Sequence, residues 1–333
     1  MDATATPAGA AAVERRRLDV PDDAQGERLD RFLARTLEVP RNQVQRWIDE
    51  GRVEIGARTA RASELLRAGA EIRWTPPPPP SAGIDPEAGD LRLLYEDSWL
   101  VAVDKPPGLA VHPGAGRSRG TLAHHLLERF PEISGVGGPG RPGIVHRLDI
   151  GTSGVLVVSR TAEAYRILTR QFASRGIGKR YLAVVWGCPE PAAGRIEAPI
   201  ARHPVRRKEM AVVARGRAAV TDYRTIARAG GVALLEVRIE TGRTHQIRVH
   251  LRHRGWPIVG DPTYGEERWK AVRDPTRRGA LRAFTRPALH AWRLELTHPG
   301  SGARLHLEAP PPDDLRDLWQ VASETSWPDL PAR

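Results

Sequence analysis

The segment from His146 to Gly154, with the sequence HRLDIGTSG, holds the residues of this chain best placed to do chemistry. It lies between a loop rich in glycine and proline and an apolar run beginning at Val155, which predicts a strand. A carboxylate on a loop at the mouth of a sheet can reach a ligand, and flanking glycines let the backbone come close to that ligand. Asp149 is therefore a candidate reactive group. Taken without any relatives, the same segment is equally typical of a surface ion pair on a turn.

Metal and cofactor chemistry have little support in the sequence. The spacing of His245, His250 and His253 superficially resembles that of metal ligands, but helical spacing would aim His245 away from the other two, and few carboxylates lie nearby. We therefore expect structural or surface histidines and no metal. Cys188 is the only cysteine, which excludes a disulfide framework and a cysteine-based zinc site. No Walker-type or dinucleotide-binding glycine motif occurs, so no cofactor is expected.

Sheet structure is predicted to position Asp149, because strand-like runs predominate after residue 90. Leu93 to Pro106 predicts two short strands around a turn at Glu96-Asp97. Apolar or alternating runs predict five further strands, at Val155 to Val158, Tyr181 to Trp186, Ala233 to Ile239, Leu289 to Leu296 and Arg304 to Leu307. Helical spacing predicts two helices, at Ala162 to Arg175 and Asp313 to Glu324. Strands and helices do not alternate regularly, so we predict an α+β domain on a mixed, mainly antiparallel sheet.

A smaller domain is predicted in front of this one. Its pattern consists of two short amphipathic helices, with apolar residues at Leu29, Leu33, Leu37, Val44, Trp47 and Ile48, followed by a stop at Gly51 and a strand at Val53 and Ile55. The run Pro76 to Pro80 cannot continue a helix or a central strand and is typical of a semi-rigid spacer. The predicted divisions are a disordered tail at 1–13, a small domain at 14–75, a linker at 76–90 and a larger domain at 91–325.

The charge of the chain favours a polyanionic partner. The formal net charge is +11, and the sequence pI is about 10.6. Between Ala164 and Arg254 there are 19 Lys and Arg residues against 6 Asp and Glu, so the middle of the chain carries the basic surface. Only four of the 51 basic residues are lysines, and guanidinium groups grip phosphate in a bidentate fork, although codon composition is an alternative cause of this bias. No apolar run approaches the roughly 20 residues of a membrane-spanning helix, so we expect no membrane partner and a cytoplasmic location.

The stretch RLDRFLARTLEVPRNQVQRWIDEGRVEI, from Arg28 to Ile55, resembles the S4 RNA-binding domain. It departs from the usual pattern at Ile55-Gly56 and at Pro40. The resemblance implies an RNA-binding face on the paired helices, which would present Arg31, Arg35, Arg41 and Arg46. A small helical domain with a solvated charged face is the alternative interpretation.

The larger part of the chain resembles the RluA-type pseudouridine synthases. HRLD followed by two residues and TSG is that family's signature, and further segments match its motifs in its order: DKPPGLAVHPG (Asp104 to Gly114), KRYLAV (Lys179 to Val184), TGRTHQIRVHL (Thr241 to Leu251), GDPTYG (Gly260 to Gly265) and ALHAWRLELTHP (Ala288 to Pro299). The S4-like front end and ARHPVRRKEMAVV (Ala201 to Val213) are most similar to the RluD-like branch, which modifies large-subunit ribosomal RNA. Ile150-Gly151 departs from a charged pair frequent in that branch.

The resemblance implies a role for each matched residue. Asp149 corresponds to the catalytic aspartate, Arg248 to its basic partner and Tyr181 to the tyrosine that stacks on the target uracil. Arg147 matches the arginine associated with displacing the base, which must leave the RNA stack before a carboxylate can reach it. Phosphate contacts are expected from the basic cluster of Arg202, Arg206, Arg207 and Lys208.

The sequence therefore predicts an isomerase that converts uridines to pseudouridine in ribosomal RNA or a pre-ribosomal particle, without an obligate protein partner. Transfer RNA remains an alternative substrate. A non-catalytic RNA-binding or ribosome-assembly protein would share the basic surface but would not require Asp149, Tyr181 and Arg248 together. A hydrolase acting through paired carboxylates would need a second acid, and none is evident near Asp149 in the sequence.

Overall fold

A computed structural model of the protein describes residues 15–39, 41–56, 58–75, 84–114, 117–138, 140–174, 176–207 and 209–332. The chain divides into two compact units, with the division between residues 82 and 83. The expected tail at 1–13, the proline run at 76–80, Arg175 and Lys208 lie outside the described residues. The described end of the predicted linker contacts the second unit, because the backbone NH of Glu87 donates to His124 O and Glu87 Oε2 accepts from Gly120 N.

The first unit combines two helices with a small antiparallel sheet. Its elements are β1 (Arg16–Asp19), α1 (Leu29–Thr36), α2 (Arg41–Asp49), β2 (Val53–Ile55), β3 (Arg58–Thr59) and β4 (Glu71–Trp74), with a single 3-10 turn at Asp22–Ala24. The strand order is β1-β4-β2-β3. Leu29, Leu33 and Val44 are fully buried, and Trp47 stacks on Trp74 with ring centroids 5.8 Å apart. The predicted helix, helix and strand are confirmed, since their apolar spacing faces this core.

A buried carboxylate ties the two helices of the first unit together. Asp30 on α1 has no exposed surface and accepts hydrogen bonds from Arg28 (3.1 Å), Arg41 (2.7 Å) and Gln45 (2.8 Å). Burial raises the pKa of Asp30, but hydrogen bonds from these cationic and polar groups outweigh it, so the pKa lies well below its usual range. Arg41, which we expected on the exposed RNA-binding face, thus has its guanidinium engaged by Asp30.

The second unit is built on one large sheet. Its strands are β5 (Arg92–Glu96), β6 (Leu100–Lys105), β7 (Ser153–Ser159), β8 (Gly178–Trp186), β9 (Ala193–Glu197), β10 (Ile200–Arg202), β11 (Met210–Val212), β12 (Val220–Ala229), β13 (Val232–Ile239), β14 (Leu289–Thr297) and β15 (Arg304–Glu308). Its helices are α3 (Leu122–Arg129), α4 (Ala162–Ala173), α5 (Gln246–His253), α6 (Pro275–Ala283) and α7 (Asp313–Ser323), with 3-10 turns at Pro131–Ile133 and Arg268–Ala271.

The main sheet has the order β5-β6-β7-β14-β8-β13-β12-β9, with β15 paired to β14, while β10 and β11 form a separate hairpin. Only the β7-β14 pairing among the described strands is parallel, so the predicted mixed, mainly antiparallel sheet is confirmed. At this pairing a Cβ on Gly154 would lie 2.2 Å from Ala291 O, and the residue has φ +111°. Glycine is required there because the two backbones approach so closely.

The strands and helices predicted from the second part of the sequence are confirmed to within a few residues at their ends. α5 was not assigned, because Ile247, Val249 and Leu251 alternate with polar residues and imitate the period of a strand. In the structure Arg248 and His250 are buried as well, so both faces of this helix are covered. α6 was also missed, since Leu281 is its single buried residue and leaves no apolar periodicity.

His290, in the middle of the sheet, is a neutral histidine held by hydrogen bonds. Its Nδ1 lies 2.9 Å from Ser153 Oγ on β7, its Nε2 lies 3.0 Å from Ala309 O, and the side chain is fully buried. Because Nε2 faces a carbonyl, it carries the proton, and Nδ1 accepts from the hydroxyl. Burial lowers the pKa of His290 to about 4.

We predict that His290 makes the protein less stable as the pH falls. The unfolded chain binds a proton near pH 6.5 and the folded chain only near pH 4, so this contribution is present above pH 6.5 and is lost between those values. Between pH 7.5 and 5.0 the free energy of unfolding of the wild type should fall by about 2 kcal/mol more than that of His290→Gln. Urea denaturation at both pH values measures this, with exposed His253→Gln as the control; equal losses in wild type and His290→Gln would contradict the assignment.

Candidate active site

A cleft of about 440 Å³ opens in the second unit where five separate chain segments meet. The segments are the loop before β7, the end of α4, the start of β8, the connection from β13 into α5, and Leu289 on β14. Asp149, Tyr181, Arg248 and Arg147 all line it. The structure therefore brings the four residues predicted at the site into one cavity, although they come from three distant parts of the sequence.

Asp149 stands on the loop before β7 with its carboxylate partly open to the cleft. Its side chain is 20% exposed, and Oδ2 lies 2.9 Å from Arg248 Nη1. The Nε2 atom of His245 is 3.9 Å from the other oxygen, Oδ1. One oxygen is thus held by a guanidinium while the side chain as a whole stays partly exposed, an arrangement suited to a carboxylate that attacks a carbon atom of a ligand.

A buried ammonium group supports the loop that carries Asp149. Lys105 at the end of β6 has no exposed surface, and its Nζ donates to Pro106 O and Leu109 O (both 2.9 Å) and to Ile150 O (3.4 Å). Burial lowers the pKa of Lys105 to about 7, while the nearby charge of Asp149 opposes that shift. The backbone NH of Gly108 also donates to Ile150 O at 2.7 Å. These bonds fix the backbone immediately after Asp149.

A second carboxylate holds Arg248 in place. Asp261 accepts from Arg248 Nε at 2.6 Å and from Nη2 at 2.8 Å, and its side chain is completely buried. Its Oδ1 also accepts from the backbone NH groups of Thr263 and Tyr264, at 2.9 and 3.0 Å. Burial opposes the charged form of Arg248, but the hydrogen bonds and charges of Asp261 and Asp149 prevail and raise its pKa. The guanidinium is thereby a permanent cation with a fixed orientation.

His245 is held at the start of α5 by a tyrosine. It has a left-handed backbone conformation (φ +56°), and its Nδ1 lies 2.8 Å from the hydroxyl of Tyr264. That hydroxyl accepts from Met210 N at 2.7 Å, so its own proton points to Nδ1 and the imidazole proton is on Nε2, toward Asp149. Burial lowers the pKa of His245 although Asp149 favours its protonated form. A neutral donor therefore faces the carboxylate.

Tyr181 lies on β8 against the apolar wall of the cleft. It packs against the two apolar clusters that cover the sheet on this side. Burial, together with the charge of Asp149, raises the pKa of Tyr181, so its hydroxyl stays protonated. An aromatic face and a protonated hydroxyl near an ionised carboxylate suit a flat, polar ligand.

The other predicted RNA contacts that the structure describes, apart from Arg147, are exposed but do not line the cleft. Arg202 ends β10, and Arg206 and Arg207 follow in the same hairpin, where Arg206 also pairs with Glu209 at 3.3 Å. In the first unit Arg31 and Arg46 are exposed, and Arg35 pairs with Glu27 at 2.8 Å. Arg147 is exposed as well, but it differs from all of these because it borders the cleft.

The three histidines with apparent metal spacing serve different purposes. His250 is buried, with Nδ1 2.9 Å from Thr221 Oγ1 and Nε2 2.9 Å from Ala198 O, whereas His253 is exposed. Only His245 of the three faces the cleft. Across the part of the chain that the structure describes, no group of three or more His, Cys, Asp or Glu residues could hold a metal ion.

Lys105, Asp261 and His245 were not assigned roles from the sequence. Each lies in a quoted motif, DKPPG, GDPTYG or TGRTHQIR, but no spacing relates them to Asp149. The motifs were the one available signal in the sequence, because the contacts of these three residues with the site depend on the three-dimensional arrangement of the segments.

Comparison with known proteins finds a matching family for each of the two units. Residues 99–253 match the family model described as RNA pseudouridylate synthase, and residues 27–72 match the S4 domain. Ribosomal large subunit pseudouridine synthase D of Nitrosomonas europaea is 44% identical over 306 residues, which cover 91% of this chain and 87% of that protein. An uncharacterized RNA pseudouridine synthase of Chloroflexus aurantiacus is 47% identical over 304 residues, 91% and 92% of the two chains. The solved structure of Human RNA Pseudouridylate Synthase Domain Containing 1 is similar with a TM-score of 0.55 and 27% identity, over 74% of this chain and 94% of that one.

We predict that Asp261→Asn lowers the free energy of unfolding by about 3 to 5 kcal/mol, because it leaves a buried guanidinium with half of its ionic partners. Asp222→Asn is a suitable control, since Asp222 makes a more exposed contact with Arg195 at 3.2 Å and should change stability by no more than about 1 kcal/mol. Denaturant unfolding of both variants at neutral pH measures the difference. Equal stability of the two variants would show that Asp261 is not what anchors Arg248.

Proposed function

Because the chain belongs to the RNA pseudouridine synthase family, we propose that Asp149 is the carboxylate with which it isomerises uridine, and that its substrate is large-subunit ribosomal RNA. The protein is an RNA pseudouridine synthase with an N-terminal S4 domain, and the resemblance inferred from the motifs is confirmed. The observation that carries the assignment of Asp149 is its 2.9 Å contact with a guanidinium that is itself locked by Asp261.

The reaction needs a group that can hold one fragment of the nucleotide while the base changes its point of attachment. The glycosidic bond from ribose to N1 of uracil breaks, the base rotates, and a bond to C5 forms. An ionised carboxylate can serve as this temporary attachment, whereas a carboxamide cannot. Arg248 orients Asp149 through their 2.9 Å contact, and Tyr181 offers a flat surface for the uracil.

The target nucleotide must leave its stack to enter the cleft, at a cost of a few kcal/mol. Arg147 is exposed at the edge of the cleft and adjacent to Asp149 in the chain. A planar guanidinium there can occupy the space that the base vacates. Arg202, Arg206 and Arg207 on the hairpin of β10 and β11 are proposed phosphate contacts, and so is Lys208, which lies outside the described residues.

Three observations support ribosomal RNA or a pre-ribosomal particle as the substrate. Several relatives are named for the large ribosomal subunit, the first unit matches an RNA-binding domain, and the middle of the chain is strongly basic. Transfer RNA is the alternative substrate. We propose the cytoplasm as the location on the basis of this substrate; among the described residues no helix is long and apolar enough to cross a membrane.

Two other functions have weaker support. A non-catalytic assembly factor would bind RNA without requiring the ion pair of Asp149 and Arg248 next to Tyr181. A hydrolase with paired carboxylates would need a free second acid, but both oxygens of Asp261 are engaged by Arg248. Glu240 also lines the cleft, but it pairs with Arg195 at 2.7 Å, so the contacts of the cleft favour Asp149 as the single reactive carboxylate.

We predict that Asp149→Asn abolishes pseudouridine formation while RNA affinity stays within a few fold, because the amide keeps the shape of the carboxylate but cannot act as a nucleophile. Pseudouridine mapping of total RNA, in cells lacking the protein and complemented with wild type or variant, measures this. Positions restored by wild type alone identify the substrate, and their presence in ribosomal or transfer RNA decides between the two candidates. Asp313→Asn, at an exposed position, is the control; full conversion by Asp149→Asn would refute the catalytic assignment.

We further predict that the triple variant Arg31→Gln, Arg35→Gln and Arg46→Gln weakens RNA binding and flattens its salt dependence. Each phosphate contact releases counterions, so loss of contacts reduces the slope of log affinity against log salt by about 0.7 to 0.9 for each contact. Filter binding from low to high salt provides the slopes. The control variant removes three exposed arginines of the second unit, Arg278, Arg304 and Arg316. Identical slopes for wild type and the helix variant would exclude a role for these arginines in binding.

A further inference from the structure

One buried cation in the cleft takes part in none of the contacts described above. Lys179, at the start of β8, lines the cleft although only 8% of its surface is exposed. Within the described ranges its ammonium group has neither a hydrogen bond nor a carboxylate at ion-pair distance, and burial alone lowers its pKa. Lys105, by contrast, is surrounded by three carbonyl oxygens. Because a lysine that is nine-tenths buried and whose ammonium has no protein partner among the described residues is costly, the cleft is suited to a ligand that supplies negative charge.

A second polar group in the same cleft is also unsatisfied. Thr152 is 2% exposed, and its Oγ1 is buried without a hydrogen-bond partner among the described residues. Thr152 and Lys179 both line the cleft that contains Asp149. Two unsatisfied polar side chains in an otherwise well-bonded site indicate contacts that a bound ligand completes.

We propose that Lys179 binds a carbonyl oxygen of the uracil held in the cleft and stabilises the negative charge that the base acquires during the reaction. This inference rests on the proposed function. Lys179 and Tyr181 are two residues apart on β8, so their side chains project from the same face about 7 Å apart along the strand. A base stacked on Tyr181 lies within reach of the lysine side chain.

The charge arises whichever atom Asp149 attacks. If the ribose C1′–N1 bond breaks first, its electron pair stays on N1 and spreads to O2 and O4, while Asp149 takes up C1′. If Asp149 adds to C6 of uracil instead, the displaced pair of electrons reaches O4. In the first route C5 then attacks C1′ and displaces the Asp149 carboxylate. In the second route the C1′–N1 bond breaks with its electron pair left on N1, C1′ joins C5, and the Asp149 carboxylate leaves C6 as the C5=C6 bond is restored. In both routes the C5 proton is lost and N1 gains a proton, so Asp149 is released unchanged and the overall change is an isomerisation. A fixed ammonium beside the oxygens stabilises the charged state more than neutral uridine, which increases the rate rather than the affinity.

A backbone phosphate fits Lys179 less well than the base does. Phosphates follow the solvated strand, and exposed Arg147 already offers them a cation at the cleft. Lys179 is nine-tenths buried, so the group that meets it must also have left water, as the extruded base does. A neutral base contributes little to binding through this contact, whereas a phosphate contact would appear directly in the affinity and its salt dependence.

The test compares full-length wild type, Lys179→Gln, Lys179→Arg and the surface control Lys270→Gln. We expect Lys179→Gln to lower the single-turnover rate of pseudouridine formation by about 100-fold or more, as loss of one donor to a developing anion does, with little change in RNA affinity. The rate of Lys179→Arg, which keeps the charge, should lie between the rates of Lys179→Gln and wild type. Lys270→Gln should behave as wild type, and thermal unfolding of all variants verifies that they are folded.

Two outcomes overturn the inference. One is an unchanged rate in a folded Lys179→Gln protein. The other is a weaker affinity with a smaller salt slope and an unchanged rate at saturation, which would assign Lys179 to a phosphate. Inactivity of the wild type itself would instead refute the proposed function.

A binding measurement tests the same inference without catalysis. Barbiturate is a uracil-like ring that carries one negative charge over its carbonyl oxygens at neutral pH. Calorimetric titration should show that wild type prefers barbiturate to uracil and that Lys179→Gln loses this preference, while Asp149→Asn retains it. If wild type shows no preference for barbiturate, or if Lys179→Gln keeps one, Lys179 does not recognise the anionic base.

Discussion

The site depends on one buried guanidinium placed between two carboxylates. Arg248 is 6% exposed and contacts Asp149 on one side and Asp261 on the other. Removal of an arginine from water is costly unless its donors are satisfied, and here Asp261 satisfies the inner donors while Nη1 remains for Asp149. Asp261 in turn is fixed by the backbone of residues 263 and 264. The Asp149 carboxylate is thus oriented by a network whose far end lies in the turn at residues 263 and 264.

The sheet explains why the three segments that carry these groups meet. β14 pairs in parallel with β7 and antiparallel with β8, and Ala291 pairs with Gly154 on one side and with Tyr181 on the other, so the loop before β7 and Tyr181 lie beside the same part of β14. Close approach at Gly154 makes the parallel pairing possible, and Lys105 and Gly108 fix the backbone after Asp149. α5 follows β13, the other neighbour of β8, and Gln246 secures its first turn through bonds to Thr241 and Val220. The geometry of the proposed site therefore depends on the central strands and on the hydrogen bonds that hold the loop before β7.

The cationic side chains discussed above fall into two groups, exposed and buried. Exposed arginines, such as Arg31 and Arg46 in the first unit and Arg202 and Arg207 in the hairpin, are available to phosphate. Buried cations, among them Arg248, Lys105 and Lys179, act within the second unit at short range, where the low dielectric makes each contact stronger. Arg41 shows that exposure alone does not make an arginine available to RNA, because Asp30 engages its guanidinium.

The sequence by itself determined the order and type of most elements, the family and the identity of Asp149, Tyr181 and Arg248 as site candidates. Local periodicity indicates which face of a helix or strand is buried, and short motifs can be recognised because their residues are contiguous in the sequence. It did not determine α5, whose polar residues are buried. Nor did it assign roles to Asp261, His245 and Lys179, because these residues reach the site only through the packing of segments that lie far apart in the sequence. Tertiary structure alone decided which cations are paired, which remain without a partner and which carboxylate stays open, since burial and distance between remote segments are not encoded in any local pattern.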